Sequence, residues 1–196
     1  EFLRLMHDEV DRLTQLVLGV LDLSLIESGQ APVNRVPVAA LPLLNSAQRR
    51  LRTQAARSGI DLRIAVEDGL PTVHADPLRI GEVLLNLVQN GIKFTPEGGA
   101  VRIHISASPE KGVAIKVADT GIGIAPENLE RVLRPFEQVE SSYSRKHGGS
   151  GLGLPYAKRL TELHGGELRI ESEMGKGTTV TVTLPSSRLL VIRKRE

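Results

Sequence analysis

Three clusters in this 196-residue chain combine residue types and spacings suited to holding a nucleotide. Two are glycine-rich, DTGIGI at residues 119–124 and GSGLGL at 149–154. Glycine allows backbone N–H groups to approach a ligand closely and tolerates positive φ. A glycine loop that runs into a helix presents N–H donors at the helix N-terminus, where phosphates bind. The carboxylate of Asp119, which ends an apolar run, could accept a hydrogen bond from an exocyclic amine such as that of adenine.

The third cluster is a polar stripe within EVLLNLVQNGIKF at residues 82–94. In a helix its polar members share one face, because residues three and four apart are neighbours. A carboxamide oxygen suits magnesium that phosphates already hold, and a lysine suits phosphate. A solvated helix face is the alternative, which the two glycine loops disfavour. The stripe comprises Glu82, Asn86, Asn90 and Lys93, and the predicted core face comprises Ile80, Val83, Leu84, Leu87 and Gly91.

In order and spacing these segments resemble the sequence boxes of bacterial sensor histidine kinases. The Asn90 helix is similar to the N box, residues 119–124 to the first glycine box, RPFEQ around Phe136 to the F box, and residues 149–153 to the second glycine box. The resemblance runs from about Leu13 to Pro185. It implies an α+β, Bergerat-type ATP-binding fold, a two-layer α/β sandwich in which a mixed sheet packs on helices. One long helix of a helical bundle precedes it.

The resemblance also implies ATP and Mg²⁺ as cofactors and a role for each matching residue. Asp119 holds the adenine amine, Asn90 ligates magnesium with Asn86 as candidate second ligand, and Lys93 reaches a phosphate. Arg145 contacts the triphosphate when the lid closes, and Phe136 anchors the lid or docks on the phosphotransfer helices. The predicted ATP-binding residues are Asn86, Asn90, Lys93, Asp119, Gly121, Gly123, Ile124, Phe136, Arg145, Gly149, Gly151, Leu152 and Gly153, the last four through backbone amides.

The domain organisation is predicted from the same boxes and from local patterns. Residues 1–30 carry a row of apolar residues at heptad spacing, which is typical of a helix that packs against partner helices. They resemble the second helix of the dimerisation and phosphotransfer hairpin. A linker covers 31–37, the catalytic ATP-binding domain covers 38–187 with an ATP lid at about 125–149, and a tail covers 188–196. The predicted helices are 41–57, one that begins at Asp76 and Pro77, 127–133 and 151–164. The predicted strands are 60–66, 71–75, 100–107, 112–118, 167–171 and 178–184, and residues 35–39 are predicted as a linker or a short strand.

No catalytic residue is assigned within this chain. In the resembling family the phosphate is accepted by a histidine in a His-Glu/Asp-x-x-x-Pro segment, and His7 has Arg12 where that pattern wants proline. We therefore expect the acceptor on the first hairpin helix, outside this sequence. The other histidines show no metal-ligand spacing. Two positions depart from the family pattern, Gly91 in place of the usual alanine and Glu82 in place of the commoner glutamine.

The composition limits which binding partners and which cellular compartment are expected. The net charge is +2 and aromatic residues make up 3% with no tryptophan, which argues against nucleic-acid binding. There are no cysteines, which is compatible with a reducing cytoplasm, and no apolar run approaches the ~20 residues that span a bilayer. We expect a cytoplasmic module, and this is compatible with a parent protein that carries membrane segments upstream of these residues. The expected partners are ATP, a response-regulator receiver domain, and a second copy through the helical bundle.

The sequence thus predicts a protein-histidine kinase module that transfers the γ-phosphate of ATP to a histidine, for relay to a response-regulator aspartate. One alternative is a gyrase-like or chaperone-like ATPase on the same fold. Those enzymes use a glutamate at the position of Asn86 to activate water, so efficient hydrolysis is not expected here. A non-catalytic interaction module is the other alternative, which the intact binding motifs oppose.

Overall fold

The computed structural model describes scattered positions between residues 6 and 29, and then residues 32–39, 51–139 and 149–190. The chain divides into two compact units, Glu1–Pro32 and Val33–Glu196. In the first unit every described position from Met6 to Ile26 is helical. Gly29, at φ 69°, follows this helix and donates its N–H to the carbonyl of Ile26. The predicted helix and its glycine end are confirmed at these positions.

The second unit is built on a five-stranded sheet in the order β2-β4-β5-β7-β6. β2 runs parallel to β4 and the other pairs are antiparallel, so the sheet is mixed, as predicted. A three-stranded antiparallel sheet in the order β1-β3-β8 belongs to the same unit. The strands are β1 Val36–Ala39, β2 Asp61–Val66, β3 Thr72–Ala75, β4 Ala100–Ser108, β5 Gly112–Asp119, β6 Glu167–Glu173, β7 Gly177–Leu184 and β8 Leu189–Leu190.

Two helices, α2 Pro77–Phe94 and α3 Gly153–Leu163, pack on the five-stranded sheet. A further helix, α1, is described over residues 51–57. α2 begins where predicted, because the Asp76 carboxylate accepts the N–H groups of Leu78 and Arg79 and Pro77 occupies the first turn. α2 packs on α3, β4 and β5, and its predicted core face is buried. The core between the layers includes Ile80, Leu84, Ile103, Ile105, Ile115 and Leu160.

The predicted helix at 127–133 is wrong. The segment forms two short 3₁₀ turns, Pro126–Asn128 and Arg131–Leu133, neither of which has a buried residue. A short helix without a buried face gains too little packing to offset its nucleation cost. Arg134 is extended, with ψ 138°, as expected for the residue before a proline.

The ends of the remaining elements differ from the predictions by a few residues. The predicted helix at 41–57 is described only from residue 51, where it is helical. At the C-terminal end, Leu189 and Leu190, within the predicted tail, form a short strand paired with Val73 and Thr72. Residues 140–148, which include Arg145, and residues 191–196 lie outside the described part of the chain. Among the described residues, no helix combines the length and the apolar character needed to span a membrane.

Candidate functional site

Asp119 ends β5 with its side chain held in one orientation. Its Oδ1 accepts the backbone N–H of Gly121 at 2.8 Å and that of Thr178, on the neighbouring strand β7, at 3.2 Å. Burial raises the pKa of the Asp119 carboxyl, and the two N–H donors partly oppose this shift. The result is a half-buried carboxylate whose direction the backbone fixes.

Helix α2 closely approaches this carboxylate through Gly91. A methyl group added at Gly91 would lie 3.3 Å from both γ-carbons of Val101 and 3.6 Å from the Asp119 Cβ. At the end of α2 the carbonyl of Phe94 accepts the N–H of Ile122 at 3.1 Å. The first glycine loop therefore starts against the C-terminal turn of α2. The C-terminal half of α2, which carries Asn90 and Lys93, therefore packs against Asp119 and the first glycine loop.

The same loop is fastened to the turn between β6 and β7. Gly123 has φ 72° and its α-carbon faces the carbonyl of Glu173 so closely that no side chain would fit. The Ile124 N–H donates to Ser172 Oγ at 2.8 Å, and the Gly175 N–H donates to the Ile122 carbonyl at 2.8 Å. Ser172 and Thr178 were missed by the sequence reasoning, because no local pattern marks a hydroxyl or an amide that acts across strands.

The polar stripe of α2 faces the second glycine loop. A Cβ built on Gly153 would lie 3.3 Å from Asn86 Oδ1 and 3.5 Å from Asn90 Nδ2, and Gly149 lies directly against the Lys93 ammonium. The Asn86 amide nitrogen donates to the Glu82 carbonyl at 3.0 Å, so its oxygen is the atom directed at Gly153. Two carboxamides thus face the start of α3, and one ammonium faces the glycine loop before it.

This donor set fits a magnesium ion that arrives with a nucleotide. The described residues contain no group of three or more His, Cys, Asp or Glu side chains that could hold a metal by themselves. Amide oxygens of Asn86 and Asn90 can supply one or two ligands, and phosphates and water supply the rest, as Mg²⁺ prefers.

The first turn of α3 presents two N–H groups for an anion. The first intrahelical bond joins the Tyr156 N–H to the Leu152 carbonyl at 2.9 Å, and Pro155 has no N–H. The Leu152 N–H was expected to face phosphates, but it donates to Ser150 Oγ at 3.2 Å. The N–H groups of Gly153 and Leu154 have no intrahelical acceptor, since a helix leaves its first donors unpaired. They also lie at the positive end of the helix dipole.

The F-box segment holds the second glycine loop in place. The Phe136 N–H donates to the Gly151 carbonyl at 3.2 Å, and Gln138 Nε2 donates to the Gly149 carbonyl at 3.0 Å. Phe136 adopts φ 65°, a left-handed conformation that is uncommon for a bulky residue. Phe136 is 56% exposed, and the contacts described here are made by its backbone.

Comparison with known proteins shows the family to which this site belongs. Residues 75–188 match the family described as histidine kinase-, DNA gyrase B-, and HSP90-like ATPase. The chain belongs to this family. The matched range contains both glycine loops and the polar stripe of α2. The predicted ATP-binding family is therefore confirmed.

The relatives place the chain among the histidine kinases of that family. It is 42% identical over 186 residues to histidine protein kinase DivJ of Caulobacter vibrioides, in a match that covers 94% of this chain and 31% of DivJ. It is 35% identical to the circadian input-output histidine kinase CikA of Synechococcus elongatus, over 97% of this chain and 25% of CikA. The chain thus spans about a third or less of the length of these relatives.

Solved structures agree in fold. Full-length ShkA in complex with AMPPNP superposes with a TM-score of 0.81 at 31% identity, over 94% of this chain and 38% of ShkA. The catalytic domain of histidine kinase ThkA gives a TM-score of 0.67 at 27% identity, over 78% of this chain and 96% of that domain. The chain contains the ATP-binding domain of a sensor histidine kinase, on the Bergerat-type fold predicted from its sequence.

Proposed function

We propose that this chain binds Mg–ATP and transfers the γ-phosphate to a histidine, from which a response-regulator aspartate receives it. One observation carries the proposal: both glycine loops contact α2, the first at its C-terminal end and the second along its polar stripe. Gly91 lies beside Asp119, and Asn86 and Asn90 face Gly153. A single extended ligand with an amine at one end and phosphates at the other fits this arrangement.

Each group has a distinct task in this proposal. Asp119 accepts the adenine amine, and Gly121, Gly123 and Ile124 shape the loop beside the base. The N–H groups of Gly153 and Leu154 and the Lys93 ammonium bind phosphate oxygens. Asn90, with Asn86, holds Mg²⁺, which when bound neutralises charge that develops on the phosphates. The backbones of Gly149, Gly151 and Phe136 hold the phosphate loop, and Arg145 contacts the triphosphate from the lid.

The geometry favours transfer to an external acceptor over hydrolysis. At the position where a water-activating carboxylate would stand, Asn86 presents an amide that cannot take a proton. The nearest carboxylate on the stripe, that of Glu82, is bonded to Arg79 and Tyr156. Neither residue is therefore suited to act as a general base toward a water near the phosphates.

The N-terminal helix indicates how the acceptor histidine and a second copy of the protein associate with this chain. Its heptad row is exposed by 41–57% at the apolar positions Met6, Val10, Leu13, Val17 and Val20. A heptad row of this kind is buried by partner helices. We propose that the row completes a bundle with the helix that carries the acceptor histidine and with a second copy of the protein. The receiver domain of a response regulator would then meet this cytoplasmic assembly.

Calorimetry and a turnover assay test the proposal. We expect AMPPNP to bind the chain more tightly with Mg²⁺ than without it, and an Asn90→Ala variant to lose that difference. We also expect slow steady-state release of phosphate from ATP, with a rise in an Asn86→Glu variant, and no stable labelling of the isolated chain by γ-phosphate. Rapid hydrolysis by the unaltered chain would favour the gyrase-like alternative. Absence of AMPPNP binding would favour an interaction module.

A further inference from the structure

Three side chains form a hydrogen-bonded triad between α2 and α3. Glu82 Oε2 accepts the Tyr156 hydroxyl at 2.9 Å and Arg79 Nη1 at 3.0 Å. Arg79 Nη1 also donates to the Tyr156 hydroxyl oxygen at 3.2 Å. The Arg79 and Glu82 side chains are only 19% and 31% exposed. Partial burial makes such a charge-assisted cluster stronger than a surface ion pair.

The triad lies next to the phosphate end of the candidate site. The Glu82 carbonyl fixes the Asn86 amide, one turn further along α2, with its oxygen toward Gly153. Tyr156 lies in the first turn of α3, where its N–H makes the first bond of the helix. The triad thus ties the first turn of α3 to α2 one turn before Asn86, and the α3 N-terminus and the Asn86 amide are the groups expected to meet phosphate and Mg²⁺.

We propose that Arg79, Glu82 and Tyr156 are positioning residues that fix the α3 N-terminus against the amide stripe for triphosphate binding. This inference rests on the proposed function, because it concerns the same nucleotide. None of the three needs to touch the ligand. The departure from glutamine at position 82 then has a physical role, since the charged carboxylate makes stronger bonds to the guanidinium and the phenol than a neutral amide oxygen does.

The adenine end is held by other contacts. Asp119 is restrained by the N–H groups of Gly121 and Thr178, and the first glycine loop by Ser172. None of these involves the triad. The inference therefore predicts a selective effect: loss of the triad weakens ligands that carry phosphates and spares those that carry only the base and sugar.

The test compares two ligands on matched variants. Tyr156→Phe removes only the hydroxyl, and Glu82→Gln removes only the charge. The control is Glu162→Gln on the distal part of α3, which loses an exposed pair with Arg159 of 2.8 Å. We expect Tyr156→Phe and Glu82→Gln each to weaken AMPPNP with Mg²⁺ by about fivefold to tenfold, the scale of one hydrogen bond. Adenosine affinity should change by less than about twofold, and the control should leave both ligands unaffected.

The double variant adds a second criterion. If the two side chains act as one unit, Glu82→Gln combined with Tyr156→Phe weakens AMPPNP by less than the product of the single effects. Lower melting temperatures with unchanged AMPPNP affinity would show a merely structural triad and overturn the inference. Equal losses for AMPPNP and adenosine, or the same loss in the Glu162→Gln control, would also overturn it. If the unaltered chain bound no nucleotide, the proposed function itself would fail.

Discussion

Replacing Asp119 by asparagine separates base recognition from folding. The amide oxygen of the introduced asparagine can still accept the N–H groups of Gly121 and Thr178, at the positions now 2.8 and 3.2 Å from Asp119 Oδ1. The second polar atom of the side chain changes from an acceptor to an NH₂ donor. It would then meet the adenine amine donor to donor, whereas the O6 acceptor of guanine would suit it.

The magnitudes follow from the bonds lost. A hydrogen bond to a charged acceptor is worth about 1.5–3 kcal/mol, so Asp119→Asn should weaken ATP binding by about tenfold to 150-fold. Because asparagine keeps both backbone bonds and removes a buried charge, the free energy of unfolding should change by less than about 1 kcal/mol. Asp119→Ala should instead lower it by about 2–3 kcal/mol, because two N–H groups lose their acceptor.

Titration calorimetry with AMPPNP and its guanine counterpart, together with urea unfolding, reads out both effects. We expect the adenine-to-guanine preference to fall in Asp119→Asn while the unfolding midpoint stays in place. The affinity of the unaltered chain should also fall as pH is lowered through the raised pKa of Asp119, because protonation removes the charged acceptor. Unaltered ATP affinity and preference in Asp119→Asn would refute the assignment of Asp119 to the base.

Three further predictions concern packing and charge. Gly123→Ala should lower the free energy of unfolding by at least about 1 kcal/mol more than Gly69→Ala in urea denaturation, because both have positive φ but only Gly123 faces a backbone carbonyl. Gly91→Ala should stabilise the fold by up to about 1 kcal/mol through helix propensity. The added carbon would lie 3.3 Å from the Val101 methyls, which must shift by a few tenths of an ångström to accept it. A clear destabilisation would show that they do not shift. Burial lowers the pKa of His164, so between the folded and unfolded pKa values the unfolded state binds a proton that the folded state does not bind. The free energy of unfolding should therefore fall as pH drops below about 6.5. Urea midpoints measured from pH 7 to pH 5 should show this decrease in the unaltered chain, and His164→Gln should abolish it.

Local patterns were sufficient to predict α2, its buried face and its first residue. Its apolar positions recur with the helical period, and Asp76 and Pro77 are a start signal that depends only on neighbours in sequence. The order of the strands was not predictable in the same way. The parallel pairing of β2 with β4 joins residues far apart in the chain. This pairing depends on how the hydrophobic faces of the helices pack against the sheet. The helix predicted at 127–133 failed for a related reason. Its residues form 3₁₀ turns without a buried residue, and burial depends on contacts with distant segments.

For the candidate site, the sequence indicated the groups that point toward a ligand but not the groups that hold them. Asn90 and Asp119 stood out because they lie in segments similar to the N box and the first glycine box. Ser172 and Tyr156 did not, because a serine in a strand and a tyrosine in a helix are ordinary. Their roles arise only when β6 meets the first glycine loop and α3 meets α2. Such contacts between distant segments carry no local signature.

The most direct measurement is a crystal structure of the chain with AMPPNP and Mg²⁺. The account predicts the adenine amine within hydrogen-bond distance of Asp119, the phosphates at the N–H groups of Gly153 and Leu154, and the metal on the amide oxygen of Asn90. Density for the nucleotide on another surface, or phosphates that leave the start of α3 and Asn90 without contact, would contradict it.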